Sequence, residues 1–95
     1  MEWFALVFKL LSLEFSEQFS RGLVAALKRV REAKAVSQNQ LAKMSGVSRA
    51  MINHLESGKR NPTLIVVHAL ATALEANLAE LIKSGEGPRD KLRRH

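Results

Sequence analysis

An all-α fold follows from three features of this 95-residue chain. Apolar residues recur at helical spacing over most of its length, side chains that cap helix starts stand where those stripes begin, and glycines stand where they end. One stretch reads otherwise: Leu11, Leu13 and Phe15 alternate with Ser12, Glu14 and Ser16 as in a strand. The length has room for one domain with a modest core.

Residues 1–19 hold all five aromatics, Trp3, Phe4, Phe8, Phe15 and Phe19. Trp3, Leu6, Val7, Leu10 and Leu11 fit one face of a helix. A signal peptide is not expected, because Glu2 replaces a basic start, Lys9 interrupts the apolar run and no small-residue cleavage site follows. Lys9 and Glu14 come too soon for a membrane span of roughly 20 apolar residues. So much apolar surface needs a cover. It either folds back on its own domain, packs across a homodimer or receives another protein, unless it remains a poorly ordered extension.

Ser16 can cap a longer helix running to about Lys34, on which Phe19, Leu23, Leu27 and Val30 form one core stripe that takes in Ala26 and Ala33. The stretch SQNQLAKMSGVSRAMINHLESG, residues 37–58, then reads as two short helices and a turn. Ser37 and Gln40 make a capping box for Gln38 to about Ser45, with Leu41, Ala42 and Met44 inward. Gly46 supplies the positive φ of a sharp turn, and Val47 buries itself at the corner. Ser48 caps a second helix, Arg49 to about Ser57, which Gly58 ends in the left-handed conformation. Ile52 and Leu55 point inward with Met51 at the edge, so Arg49, Ala50, Asn53 and His54 are left outside. After the loop Lys59, Arg60, Asn61 and Pro62, Thr63 caps or begins a largely buried fourth helix. Leu64, Val67, Ala71 and Leu74 are its stripe, widened by Ile65, Leu70 and Ala73, and His68 reads as a structural histidine. Asn77 and Glu80 start a fifth helix, Leu78 to about Lys83, with Leu78, Leu81 and Ile82 inward and Gly85 at its end. The expected organisation is an apolar segment over 1–19, a helical domain over 20–84 and a basic flexible tail over 85–95. In that tail Arg89, Lys91, Arg93 and Arg94 add phosphate attraction or merely solubility.

Two helices joined by a tight glycine turn are the helix-turn-helix pattern, whose second helix enters the major groove of DNA. Charge agrees with a polyanionic partner. The net charge is +6, and residues 20–62 alone carry nine basic side chains against Glu32 and Glu56. Residues 63–82 hold only Glu75 and Glu80. A solvated face is usually more mixed in sign.

The residues Leu27, Lys28, Arg31, Glu32, Ser37, Gln38, Leu41, Ala42, Gly46, Val47, Ser48, Ile52, Leu55, Glu56, Gly58 and Pro62 fall into the spacing LRxxRExxxxSQxxLAxxxGVSxxxIxxLExGxxxP. In this the chain resembles the lambda-repressor/Cro, or Xre-type, helix-turn-helix regulators over residues 23–82, with Lys28 for the usual arginine. The resemblance implies a five-helix lambda-repressor-like DNA-binding domain, here with an extra apolar N-terminal segment. It implies an ion pair between Arg31 and Glu56, either partly buried or solvated. It further implies backbone contact by Gln38 and dimer contacts from the last helix.

The expected function is therefore a transcriptional regulator, in the form of a dimeric repressor reading a palindromic operator with half-sites about 34 to 36 Å apart. Contacts to DNA divide into those that position and those that specify. Gln38, Lys43, Ser48, Lys59, Arg60 and Asn61 are the phosphate candidates. The base-reading candidates are Arg49, Ala50, Asn53 and His54. Arg49 has the fork for guanine O6 and N7, Asn53 the amide for adenine, and Ala50 the methyl to pack on thymine. Arg49 could instead bind phosphate, and His54 could touch base, phosphate or only water.

An antitoxin or adaptor that binds protein, with DNA binding secondary, is the rival reading. An enzyme is not expected. Asp90 is the only aspartate, and no glycine-rich phosphate loop, HExxH or serine-histidine-acid set occurs. His54 and His68 lack neighbouring ligands, so no metal and no cofactor are expected. The chain has no cysteine, which fits a reducing compartment, and the expected location is the cytoplasm, with no membrane partner.

Overall fold

The computed structural model describes residues 2–85, with side chains described for 2–7 and 16–83. The expected tail, with Arg89, Lys91, Arg93 and Arg94, lies outside the described residues, as does Asp90. Five helices follow in order: α1 (Glu2–Ala33), α2 (Gln38–Ser45), α3 (Arg49–Glu56), α4 (Leu64–Ala73) and α5 (Leu78–Gly85). The fold is all-α, and no strand occurs among the described residues. No helix among them is long and apolar enough to cross a membrane.

Helix α1 departs from the sequence reading. It runs unbroken for 32 residues through Ser16, which starts nothing. A serine inside a helix costs only a few tenths of a kcal/mol relative to alanine, whereas stopping and renucleating costs far more. No proline or left-handed glycine lies ahead of Ser16 to force a stop, and its side chain is exposed. Nor does the segment fold back on its own domain where its side chains are described. Trp3, Phe4 and Leu6 are exposed, Trp3 by 74%.

The core lies under the second half of α1. Leu23, Val24, Ala26 and Leu27 are buried there, with Phe19 and Val30 packed at the margin. Val24 was not in the expected stripe, and Ala33, which was, is exposed. α1 lies along α5 and touches α3 and α4, while α2 packs on both α3 and α4. Leu41 of α2, Ile52 of α3 and Leu74 at the end of α4 are the most enclosed large side chains. Val67, Leu70, Ala71 and Leu81 close the core around them.

Three apolar side chains expected inside α2 and α4 are outside. Met44 is exposed, and so are Leu64 and Ile65, the latter by 82%. Leu64 and Ile65 form the first turn of α4, which overhangs the core before Val67 reaches it. His68 is exposed as well, not a packed structural histidine.

The helix boundaries have local causes. Ser37 Oγ accepts the Gln40 N–H at 3.0 Å, and Gln40 Oε1 accepts the Ser37 N–H at 2.8 Å. Ser48 and Thr63 accept from Met51 and Val66 in the same way, and Asn77 Oδ1 accepts from Ala79 and Glu80. Gly46 and Gly58 have φ of 79° and 80°. A Cβ at either would meet nothing within 4 Å, so backbone conformation and not space calls for glycine there.

Candidate nucleic-acid interface

At about 100° per residue, Arg49, Ala50, Asn53 and His54 span an arc of about 140° on α3, and Ile52 and Leu55 lie opposite. Burial follows that geometry. Ile52 and Leu55 are 1% and 4% exposed, Met51 is half-buried, Arg49, Ala50 and Asn53 are exposed, and His54 is half-exposed. The side chains of Arg49 and Asn53 have no hydrogen-bond or ion-pair partner among the described residues, so their donors and acceptors remain available. Core packing thus fixes one side of a short helix and presents guanidinium, methyl, amide and imidazole groups on the other.

Ser48 Oγ accepts the Met51 N–H at 3.1 Å. Its own O–H is still free to donate, and it stands at the start of α3, where unpaired N–H groups favour an anion. Beyond Gly58 the chain reverses, with the Lys59 and Arg60 N–H groups both donating to the His54 carbonyl at 2.8 and 3.3 Å. That leaves the side chains of Lys59, Arg60 and Asn61 exposed beside the end of α3. Lys43 stands elsewhere, on a hollow of about 400 Å³ that it lines with Lys34, Val36, Gln40 and Met44.

Behind this surface lies a network that joins α1, α2 and α3. Arg31 grips Glu56 with two bonds, Nε to Oε2 at 2.8 Å and Nη2 to Oε1 at 2.9 Å, and gives Nη1 to the Val36 carbonyl at 2.8 Å. The two side chains are only 11% and 10% exposed, so the pair is largely buried. Gln38 Nε2 donates to Glu56 Oε1 at 2.9 Å, a bond that the sequence did not suggest. Its second amide proton is left to point elsewhere. Burial pushes the Glu56 carboxyl up, but the bonds from Arg31 and Gln38, with the charges of Arg31 and Lys28, outweigh it and hold the group below its ordinary value. The bond to Glu56 raises the Arg31 guanidinium above its ordinary value, against the effect of burial. No cluster of three potential metal ligands occurs among the described residues.

A pair of short helices set on a third by a buried ion pair, with an open polar face on the second, defines a helix-turn-helix DNA-binding unit. The helix-turn-helix family profile HTH_3 matches residues 27–81. The chain is 39% identical over 54 residues to the HTH-type transcriptional regulator y4dJ of Sinorhizobium fredii strain NGR234, a match spanning 57% of this chain and 70% of that one. It is 32% identical over 66 residues to the HTH-type transcriptional regulator SutR of Escherichia coli K12, covering 70% of this chain but 37% of SutR. The crystal structure of the restriction-modification controller protein C.AhdI from Aeromonas hydrophila superposes with a TM-score of 0.60 at 36% identity, over 66% of this chain and 94% of that one. The chain belongs to the Xre, or lambda-repressor-like, helix-turn-helix family of transcriptional regulators, which are not enzymes.

Proposed function

We propose that this regulator is a homodimeric repressor that reads a palindromic operator through the outer face of α3. The carrying observation is that face itself: Arg49, Ala50 and Asn53 are exposed on a helix whose other side is locked into the core by Ile52 and Leu55. Arg49 specifies guanine, Asn53 adenine, and Ala50 packs on a thymine methyl, with His54 at the far end of the row. Gln38, Ser48, Lys59, Arg60 and Asn61 hold the backbone, and Lys43 reaches phosphate from the end of α2. One such helix reads only a few base pairs, so two copies reading half-sites about 34 to 36 Å apart supply the affinity. The exposed Trp3, Phe4 and Leu6 of α1 are the dimerisation surface.

Selection from a random duplex pool, followed by titration at fixed salt, tests the reading. Wild type should prefer its selected palindrome over scrambled DNA by about a thousandfold or more. Arg49→Ala should lose roughly 1 to 3 kcal/mol of that discrimination at one base-pair position in each half-site. Equal affinity for selected and scrambled duplexes would sink it.

A further inference from the structure

A groove of about 340 Å³ runs between α1 and the loop that follows α3. Arg21 and Lys28 line it from α1, and Arg60 and Asn61 from the loop. From this arrangement we infer that the groove holds a DNA backbone phosphate beside the base-read segment, with Arg21 and Lys28 of α1 completing a clamp that the loop begins. The inference rests on the DNA-binding reading above and adds to it two residues from a helix outside the helix-turn-helix pair.

The charge of the lining favours an anion. Three cations face a single carboxylate, Glu56, whose oxygens already accept two bonds from Arg31 and one from Gln38. Glu56 therefore does not use up the groove's cations. The side chains of Lys28 and Arg60 have no hydrogen-bond or ion-pair partner among the described residues. Arg21 is held only by Glu17, at 3.7 Å with side chains 72% and 59% exposed, an arrangement that contributes little and yields readily to a stronger anion. A phosphate brought here would meet two guanidinium groups, an ammonium and the Asn61 amide. The groove's position argues for DNA over a free anion. It shares Arg60 and Asn61 with the exposed loop that follows α3, and Glu56 at the end of α3 and Ser57 after it form its wall, so it opens beside the end of the helix that carries the base-reading face.

The test compares wild type with the double variant Arg21→Gln, Lys28→Gln, with far-UV circular dichroism and melting to establish that both fold. Binding to the selected palindrome is titrated across a salt series, on a duplex with several flanking base pairs and on one trimmed to the base-read segment. The clamp holds one phosphate, and each lost phosphate contact reduces the slope of log K against log salt by about 0.9, so on the flanked duplex the variant's slope should be shallower by about 0.9. Its preference among sequences should be unchanged, and the two proteins should converge on the trimmed duplex. Equal slopes on the flanked duplex overturn the clamp even where selective binding is intact, which separates its failure from that of the DNA-reading proposal. Wild type with no affinity for either duplex overturns both. Titration with inorganic pyrophosphate at matched ionic strength distinguishes the other source of phosphate. Micromolar binding by wild type that the variant loses, without any change in DNA slope, would assign the groove to a free anion instead.

Discussion

Glu56 is held by donors from two helices, and its bonds decide how the reading surface is carried. Arg31 brings in α1, Gln38 brings in α2, and Glu56 itself is the last residue of α3. Truncating Glu56 to alanine strands a largely buried guanidinium. Loss of one partner from such a pair costs about 3 to 5 kcal/mol, and urea unfolding of Glu56→Ala should show a loss in that range. The pH dependence has a fixed sign. Because the folded carboxyl lies below its unfolded value, the ion pair stabilises the fold above the unfolded pKa of about 4.3 and is lost as pH falls through the folded value. The gap in melting temperature between wild type and Glu56→Gln should therefore be constant from pH 7 to about 5 and narrow below about 4. A gap independent of pH would remove the ion pair as its source. The contact between Arg31 and Glu56 was legible in the sequence only through the family spacing. Gln38 was harder to read, because a glutamine at a helix start suits a phosphate and a carboxylate equally well. The bond to Glu56 reconciles the two, since the same amide keeps one proton for an outside acceptor.

Helix ends show what local chemistry can and cannot specify. α1, α3 and α4 finish alike, in a left-handed residue with paired reverse bonds: Val36 to the Arg31 carbonyl, Lys59 to His54, and Ala76 to Ala71. Only α3 has glycine at the left-handed position. Ala35 and Glu75 adopt φ of 57° and 53° with side chains attached. An L side chain there costs roughly 1 to 2 kcal/mol, part of which glycine returns as greater freedom of the unfolded chain. Ala35→Gly and Glu75→Gly should each stabilise by several tenths of a kcal/mol or more and raise the melting temperature by a few degrees. Gly46→Ala should do the reverse, by about 1 kcal/mol, although its Cβ would touch nothing. Scanning calorimetry of the three variants checks both signs. Caps at Ser37, Ser48, Thr63 and Asn77 were legible because each places one oxygen over one turn. Ser16 misled because the same residue type is tolerated on an exposed helical face, and only a break in the chain's direction makes it a cap. Periodicity gave the inward side of α2 and α4 but not how far the core reaches along each. Met44, Leu64 and Ile65 have the right spacing and overhang the core. Lys34 also reaches across to the Leu74 carbonyl, capping α4 from the end of α1. Spacing along the chain carries no sign of a bond between positions 40 residues apart.

At the scale of the whole molecule, α1 sets the shape. Its 32 residues rise about 48 Å, and the longest dimension of the chain is 50 Å. Every described α1 side chain that is buried lies between Leu23 and Leu27, whereas Trp3, Phe4 and Leu6 near its start are exposed. An isolated helical end is marginal in water by itself, and exposed aromatic side chains on it add apolar surface that association removes. Stability of the domain and self-association are therefore expected to separate. Replacing Trp3, Phe4 and Leu6 together by serine removes none of the described core. At the lowest workable concentration the variant should unfold within about 0.5 kcal/mol per site of wild type, as surface substitutions do. Sedimentation velocity over a concentration series should show wild type assembling into a dimer and the variant remaining monomeric over the same range. DNA binding links the two. A monomer keeps the face of Arg49 and Asn53 but loses the second half-site, so the variant should bind a single half-site as wild type does and lose the steep gain on the full palindrome. If the variant dimerises like wild type, the dimer contact lies elsewhere on the domain, and the start of α1 is free for another protein.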